Sequence, residues 1–351
     1  MSKKEFRIPI PCVGFNPPVY ACKRATEPFV LDGDLNKSFW ANADFTEDFV
    51  DIEGDCRPVP RFRTRAKMLW DDENIYFGAL LEGDEIWATQ TEHDCVIFLD
   101  NDFEIFIDPD SDTQEYVEYE MNALNTTWDL LLTKAYHDYG SPVNGLELKG
   151  LRSAVKIDGE LNNPSANNKS WSVEVVIPFT TLKEVHENRR APEAGEYYRL
   201  NFSRVQWLVD VVDNKYQLRI NPETGRKYPE DNWVWAPTGV INIHYPEQWG
   251  FLFFTDDDHT DCQIPAIEKA KWDLRLLYYA EHIHKDIYGC FTDDLNALLQ
   301  VLEEESPIEE NKSVTERDYL VETTASQFEI SFTLEDGTTL SIVTDGKIRK
   351  F

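Results

Sequence analysis

The sequence predicts a mainly β protein, an antiparallel β-sandwich followed by a C-terminal helix and a small β-meander. From about Thr26 to Thr255, short runs of alternating polar and apolar residues are bounded by Asp, Asn, Gly and Pro, which is typical of antiparallel strands. After Ile264 the apolar residues recur every three or four positions, which is typical of an amphipathic helix. With 351 residues, 42% of them hydrophobic, the chain can form a core of this size.

Seven runs in the first part of the chain are each predicted to be a strand. They are Ile75–Leu81, Phe103–Ile107, Tyr116–Met121, Trp128–Thr133, Trp171–Ile177, Tyr197–Trp207 and Trp249–Phe254. Seven or more short strands favour a sandwich. In the third run Val117, Tyr119 and Met121 point to one face. The intervening Glu118 and Glu120 define a polar face, which is a candidate for solvent exposure.

The last part of the chain is predicted to be helical and then β. The spacing of apolar residues predicts a helix near Ala266–Tyr288 and a second one over Leu295–Leu302. Two Asp-Gly pairs, which begin at Asp336 and Asp345, are hairpin-turn signals between alternating segments.

We therefore divide the chain into three parts. Residues 1–26 form an N-terminal segment, residues 27–255 form the sandwich, and residues 264–351 form an extension of helix and meander. The extension is short for an independent core, so we expect it to dock on the sandwich.

The charge of the chain excludes two classes of partner. It has 34 Lys and Arg residues against 65 Asp and Glu, a formal net charge of −31. Nucleic acids and anionic membranes are bound through basic patches, and the sequence has none, so neither is expected as a partner. No apolar run reaches the roughly 18 residues of a membrane span, and the first residues lack the apolar core of a signal peptide. The expected location is the cytoplasm, or the periplasm or exterior if the start has been trimmed.

Eight short motifs occur in the order seen in one known family. They are LDGDLNKSFW (Leu31–Trp40), AKMLWDDENIYFGALLEGDEI (Ala66–Ile86), LDNDFEIFIDPD (Leu99–Asp110), YEMNALNTTWD (Tyr119–Asp129), WSVEVVIPF (Trp171–Phe179), YYRLNFSRVQ (Tyr197–Gln206), WVWAPTG (Trp233–Gly239) and HYPEQWGFLFF (His244–Phe254). On these motifs the chain resembles carbohydrate-binding module family 9, a group often found beside xylan-degrading enzymes. The resemblance implies an immunoglobulin-like β-sandwich that binds the ends of β-linked sugar chains between two aromatic rings.

The same resemblance implies two site residues. The family's carboxylate falls on Glu104, and its first clamp ring, six positions earlier, falls on Phe98. Aromatic rings stack on the apolar faces of sugars, and carboxylates accept hydrogen bonds from hydroxyls. The family's second ring falls near Ile243 or His244, and neither of these is Trp.

Strand alternation adds a carboxylate to this site. Glu104 shares its strand face with Phe106 and Asp108, so Glu118 or Glu120 of the next run is expected to lie beside it on a polar concave surface. A solvated strand face is the alternative.

Further candidates come from residue chemistry. Asn201, Arg204 and Gln206 lie in one run, and a forked guanidinium with amides suits hydroxyl or carboxylate recognition. An ion pair between Arg204 and an acidic residue explains the presence of this arginine equally well. Trp233 and Trp235 are two apart, so both rings emerge on one strand face and are candidates for the missing ring, with core packing of at least one as the alternative.

No cofactor is required by these patterns, but acidic clusters raise the hypothesis of structural calcium. Asp100 and Asp102 lie close together in sequence, and Asp108 begins a second cluster, so each supplies the hard oxygen ligands that calcium prefers. The resemblance also implies that calcium can be present. Neither cluster matches the twelve-residue calcium loop, and solvated loops are the alternative.

Three functions remain open. The first is non-catalytic binding of plant-type β-linked polysaccharide or oligosaccharide ends, xylan or glucan, in carbohydrate catabolism, beside a glycoside hydrolase partner. The second is a glycoside hydrolase of the endo-xylanase kind, or its accessory subunit. Hydrolysis needs two carboxylates across one sugar bond, and an acidic chain offers such pairs by chance. The third is a scaffold or interaction protein whose sugar site has decayed.

Overall fold

The strands form one large sheet and two small ones in the computed structural model, which describes residues 6–186, 188–256 and 262–351. The strands are β1 (Val19–Arg24), β2 (Val50–Asp51), β3 (Thr64–Trp70), β4 (Asn74–Glu82), β5 (Asp102–Asp108), β6 (Tyr116–Asn122), β7 (Thr127–Leu132), β8 (Pro142–Val143), β9 (Arg152–Asp158), β10 (Ser170–Pro178), β11 (Tyr197–Gln206), β12 (Val209–Val212), β13 (Lys215–Leu218), β14 (Asp231–Val234), β15 (Gly250–Thr255), β16 (Leu320–Thr323), β17 (Phe328–Thr333), β18 (Thr339–Val343) and β19 (Ile348–Lys350). The helices are α1 (Phe179–Leu182), α2 (Ala266–Tyr288) and α3 (Leu295–Glu305). All seven predicted strands are confirmed within one or two residues at each end, as β4, β5, β6, β7, β10, β11 and β15.

The large sheet folds over itself into the two layers of the predicted sandwich. One layer has the order β8-β7-β6-β5-β11, and the other has the order β3-β4-β10-β9. Strands β15 and β1 join the layers, and β1 pairs in parallel with both β15 and β3. Apolar residues from the two layers interdigitate between them, where the rings of Phe77 and Phe202 lie 5.9 Å apart. The predicted β-sandwich is therefore confirmed.

The polar face of β6 is not open to solvent, contrary to one expectation. Glu118 is 6% exposed and Glu120 is 1% exposed. The cover comes from outside the strand, since Tyr136 in the segment after β7 contacts His244 in the segment before β15, with ring centroids 4.5 Å apart. Strand alternation alone does not reveal such a cover, because it reports only which residues share a face.

The extension begins with α2, whose observed bounds are the predicted ones. The helix starts after Pro265 and ends at Tyr288, and the next residue, Gly289, has a φ of 83°, the left-handed conformation that glycine adopts readily. Strands β16 to β19 then form an antiparallel meander with turns at both predicted Asp-Gly pairs. No helix among the described residues is long and apolar enough to cross a membrane.

The extension packs against the outer face of the first layer through buried polar contacts. Arg199 of β11 donates to Glu268 of α2 over 2.8 Å, and both side chains are buried. Tyr278 of α2 donates to Asp138, and Tyr279 donates to Glu247. These contacts leave the β5–β6 end of the same face uncovered by α2.

Candidate functional site

Four buried carboxyl groups lie together on the outer face of the first layer. Asp102 and Glu104 come from β5, and Glu118 and Glu120 come from β6. In the antiparallel register Glu104 is opposite Glu120, and Glu118 is opposite Phe106. Because alternate residues share a strand face, this register brings all four side chains to one surface. We call these four residues the carboxylate cluster; none is more than 6% exposed.

The cluster has no cationic side chain as a partner among the described residues. Among the ion pairs of the described residues, none involves these four side chains. Burial, with a contribution from Glu230, raises the pKa of Glu104 to about 7. Burial and the neighbouring Glu104 raise the pKa of Glu118 to about 8. Burial and the other carboxylates also raise the pKa of Asp102 and Glu120.

Two carboxylate oxygens in the cluster have no hydrogen-bond partner among the described residues. Asp102 accepts from the backbone N–H of Val205 over 3.2 Å through Oδ1, while its Oδ2 has no partner. Oε2 of Glu118 is also buried without a partner. Oε2 of Glu120 accepts from the backbone N–H of Phe98 over 3.2 Å. Buried polar atoms are normally paired, so these two oxygens mark the face as a candidate binding site.

Three aromatic rings border the cluster. Trp128 is directly opposite Glu120 in the β6–β7 register, and its ring centroid lies 6.4 Å from that of Phe98. Phe98 is 37% exposed, and its carbonyl accepts from Trp207 Nε1 over 2.9 Å. Tyr136 is 41% exposed, and burial together with the charges of Glu118 and Glu120 raises its pKa to about 12.

We call the carboxylate cluster and these three rings the ring–carboxylate face. It contains the predicted Phe98, Glu104 and Glu118. Sequence reasoning missed Tyr136, which lies in a short 3₁₀ turn after β7 and has no local pattern to mark it. The sequence does contain a signal for Trp128, because this residue begins the predicted strand that follows the run with Glu118 and Glu120.

Arg204 and Trp233 do not join this face. Ser203 is the residue opposite Glu104, so Arg204 points to the other side of the sheet. There its guanidinium donates to Thr64 Oγ1 over 2.9 Å and lies 5.2 Å from the centroid of the buried Trp233 ring. Burial and the nearby Arg61 lower the pKa of Arg204 to about 9. These contacts place both residues at the end of the core between the layers.

The side chains of Asn201 and Trp235 are used within the chain. Asn201 lies on the same sheet face as the cluster, opposite Phe106 in the β5–β11 register, but its amide is already paired. The amide of Asn201 donates to the carbonyl of Ala236 over 2.8 Å and accepts from its backbone N–H over 2.9 Å. Trp235 is buried against Gly250, where an added Cβ would come within 2.5 Å of the indole ring. The hydrogen bonds of Asn201 hold the chain after β14, and Trp235 packs at the start of β15.

The three predicted calcium ligands are separated in the structure. Asp100 is saturated, because its carboxylate accepts from Thr89, Gln90 and the Asn122 amide. Asp102 belongs to the carboxylate cluster. Asp108 accepts from two backbone N–H groups and lies in a different group with two other aspartates. The described residues contain three groups with metal-ligating geometry: Asp102, Glu104 and Glu120; Asp108, Asp110 and Asp112; and His93, Asp94 and Glu147.

Comparison with known proteins finds one matching family model. Residues 31–194 match the model of the family described as carbohydrate family 9 binding domain-like. This stretch contains the ring–carboxylate face, and the predicted resemblance is confirmed. Over this stretch the chain is similar to that family. A comparison with curated proteins finds no match.

Solved structures give remote similarities to the same group. A Bacteroides uniformis protein, named as a candidate carbohydrate-binding protein, is 16% identical with a TM-score of 0.48, over 68% of this chain and 100% of that one. A family 9 module from Caldicellulosiruptor kristjanssonii, in complex with cellotriose, is 14% identical with a TM-score of 0.44, over 70% and 99%. The same kind of module in complex with glucose is 13% identical with a TM-score of 0.43, over 69% and 100%.

Proposed function

We propose that this protein binds carbohydrate on the ring–carboxylate face. The observation that carries the proposal is that buried carboxylate oxygens without a hydrogen-bond partner lie beside partly exposed aromatic rings on one face of the sheet. Sugar hydroxyls need acceptors once they lose water, and the apolar faces of sugar rings stack on aromatic side chains. The family match over residues 31–194 supports the same function, since this stretch contains Phe98, Glu104, Glu118 and Tyr136.

The ligand class we propose is a neutral β-linked oligosaccharide or polysaccharide end, of the xylan or glucan type found in plants. Each exposed ring offers one face, and Tyr136 is a candidate for the second ring that Ile243 and His244 do not supply. Because an incomplete aromatic clamp buries little surface, we expect weak affinity, with a Kd on the order of 10⁻³ to 10⁻⁵ M. Such a role fits carbohydrate catabolism beside a glycoside hydrolase.

The experiment is isothermal titration calorimetry with xylotriose and cellotriose, after a survey by affinity electrophoresis on soluble xylan and glucan. Wild type, Glu104→Gln and Phe98→Ala are compared with Glu335→Gln, whose carboxylate is exposed in the turn between β17 and β18. We expect both site variants to lose affinity while Glu335→Gln binds as wild type. If a sugar binds and neither site variant differs from wild type, the sugar site lies elsewhere.

A glycoside hydrolase is the second candidate, because the structure provides carboxyl groups of raised pKa near one another. General acids in such enzymes have raised pKa values. A reducing-sugar assay on the same samples separates the two functions. Product release that Glu104→Gln abolishes supports hydrolysis, whereas saturable binding without product supports a binding module. Absence of both would favour the scaffold alternative.

A further inference from the structure

We propose that Cys12 and Cys56 form an oxidation site, which a low-molecular-weight disulfide converts into a disulfide bond within the chain. The two residues are 44 positions apart in the sequence, and their Sγ atoms lie 3.8 Å apart. The sulfur atoms of a disulfide are about 2.05 Å apart, so each Sγ needs to move by only about 1 Å. Spacing in the sequence does not predict this pair, because the fold brings the two segments together.

The local structure holds both thiols at one backbone acceptor. Sγ of Cys12 donates to the carbonyl of Glu53 over 3.3 Å, and Sγ of Cys56 donates to the same carbonyl over 3.2 Å. The backbone N–H of Cys12 donates to the carbonyl of Gly239 over 2.9 Å, which fixes this part of the chain. Cys56 ends a short 3₁₀ turn that follows β2. Because a thiol is a weak donor, oxidation gives up little hydrogen bonding when both S–H groups are lost.

The two thiols differ in access, and this difference sets the order of reaction. Cys56 is exposed, whereas Cys12 is half-buried. Both line a cavity of about 700 Å³, which gives a small reagent room beside them. Burial and the adjacent Cys56 thiol raise the pKa of Cys12 to about 12, so little of Cys12 is thiolate near neutral pH. Cys56 is therefore the thiol that reacts first, and Cys12 is the resolving thiol.

The reaction is a thiol–disulfide exchange in two steps. The Cys56 thiolate attacks one sulfur of the small disulfide, which forms a mixed disulfide and releases one small thiolate. Cys12 then loses its proton and attacks the Cys56 sulfur, so that the protein disulfide forms and the second small thiolate leaves. The two released thiolates take up the protons that the two cysteines lost. The protein is oxidised by two electrons, and the small disulfide is reduced to two thiols.

The new bond would fasten the N-terminal segment, and through it the extension, to the sandwich. Ile8 and Ile10 pack in one apolar core with α2, α3 and the meander. Asn311 of the extension donates to the carbonyls on either side of Cys12, over 3.0 and 2.8 Å. Cys56 belongs to the sandwich, because β2 pairs with β14 and β14 pairs with β11. A cross-link between distant positions restricts the unfolded chain, so oxidation should stabilise the folded protein.

The experiment treats reduced full-length protein with oxidised glutathione, blocks the remaining thiols by alkylation and maps peptides by mass spectrometry. We expect one cross-linked pair of peptides, about 2 Da lighter than the two reduced peptides together, because a disulfide forms with loss of two hydrogens. Fragment ions should place the bond at Cys12 and Cys56, with the buried Cys22 alkylated after unfolding. The melting temperature should rise on oxidation and return to its first value when a reductant is added.

Matched variants separate this pair from general thiol oxidation. Cys12→Ser should stop at a glutathione adduct on Cys56 and lose the rise in melting temperature, whereas Cys290→Ser, which removes another exposed thiol, should cross-link as wild type. Circular dichroism shows that each variant is folded, and the cross-link in the wild type is measured without any variant. The proposal is overturned if wild-type Cys56 carries only a glutathione adduct, if Cys56 pairs as often with Cys290 as with Cys12, or if the melting temperature is the same with and without the bond.

Discussion

Two groups of buried acids lie on the same outer face of the sandwich, and they differ in what surrounds them. Where α2 docks, Glu268 is paired with Arg199, and Glu247 lies 3.9 Å from Arg275. Burial alone would raise the pKa of these two carboxyls, but the guanidinium groups hold it below its usual value. In the carboxylate cluster, burial acts without a cation, and the pKa of Glu104 and Glu118 is raised.

This difference separates a structural role from a binding role. The acids of the docking interface have their partners within the chain, so they hold the extension on the sandwich. The acids of the cluster include buried oxygens without a partner beside partly exposed rings, and their raised pKa values are typical of a functional site. The two regions should therefore respond in opposite ways when a carboxylate or its partner is removed.

The largest effect is expected at the docking interface. Arg199→Ala leaves Glu268 buried without its main partner, and breaking a buried ion pair in this way costs about 3–5 kcal/mol. We expect the free energy of unfolding, measured by urea denaturation, to fall by that amount. Arg219→Ala is the control, because Arg219 pairs with Asp210 at the surface, and should cost no more than about 1 kcal/mol. Equal losses in the two variants would contradict the structural role of the interface.

The next effect concerns sugar affinity rather than stability. Charge-assisted hydrogen bonds contribute about 1.5–3 kcal/mol each, so Glu104→Gln should weaken binding about tenfold or more. Calorimetry with the best oligosaccharide measures this, with unfolding curves to show that the variant is folded. Glu268→Gln should instead lower the free energy of unfolding. If its folded fraction binds sugar as tightly as wild type, the docking interface is structural and the carboxylate cluster is the binding region.

Much of this arrangement could be predicted from the sequence. Period-two alternation gave the faces of β5 and β6, and therefore the proximity of Glu104 to Glu118 and Glu120. Helical spacing gave the bounds of α2. Strands β1 and β9 were not predicted, because their sequences, VYACKR and RSAVKID, mix exposed and buried positions without a clean period.

The rest of the site depends on contacts between distant segments. Tyr136 is held by a ring contact with His244, which no local pattern reports. The orientation of Arg204 follows from the pairing of Ser203 with Glu104, and this requires knowing that β11 lies next to β5. Asp100 and Asp102 are only two positions apart in the sequence, but they have different surroundings. Asp100 accepts hydrogen bonds from the Thr89–Gln90 segment, whereas Asp102 belongs to the carboxylate cluster.

A smaller effect, on the pH dependence of stability, contrasts the two regions again. Glu104 and Glu118 have pKa values of about 7 and about 8 in the folded protein, so the folded state binds more protons than the unfolded state above about pH 4.5. Their contribution is fully present below that pH and is lost as pH rises towards 8. Glu247 and Glu268, whose pKa is lowered, contribute above about pH 4.5 and lose their contribution as pH falls.

Glu118→Gln removes one titrating group from the cluster and should raise the free energy of unfolding at pH 8 by more than about 1.4 kcal/mol, the equivalent of one pKa unit, because the pKa of Glu118 is raised to about 8. Urea denaturation in EDTA at pH 5, 6.5 and 8 measures the change, with the exposed Glu335→Gln as control. We expect the gain over wild type to shrink towards pH 5. A gain independent of pH would mean that packing, and not charge, sets the effect.

The smallest effect concerns the rings that border the cluster. Aromatic stacking contributes about 0.5–1.5 kcal/mol beyond the area it buries, so Phe98→Ala and Tyr136→Ala should each weaken sugar binding by about two- to tenfold. Tyr136→Phe keeps the ring and removes the hydroxyl, and it should bind nearly as wild type if stacking is the contribution. Tyr288→Ala is the control, because Tyr288 is an exposed ring at the end of α2, in the region where acids are paired. If Tyr136→Ala binds as wild type while Phe98→Ala is weakened, the sugar is held by one ring and the carboxylates alone, and the second side of the clamp is open.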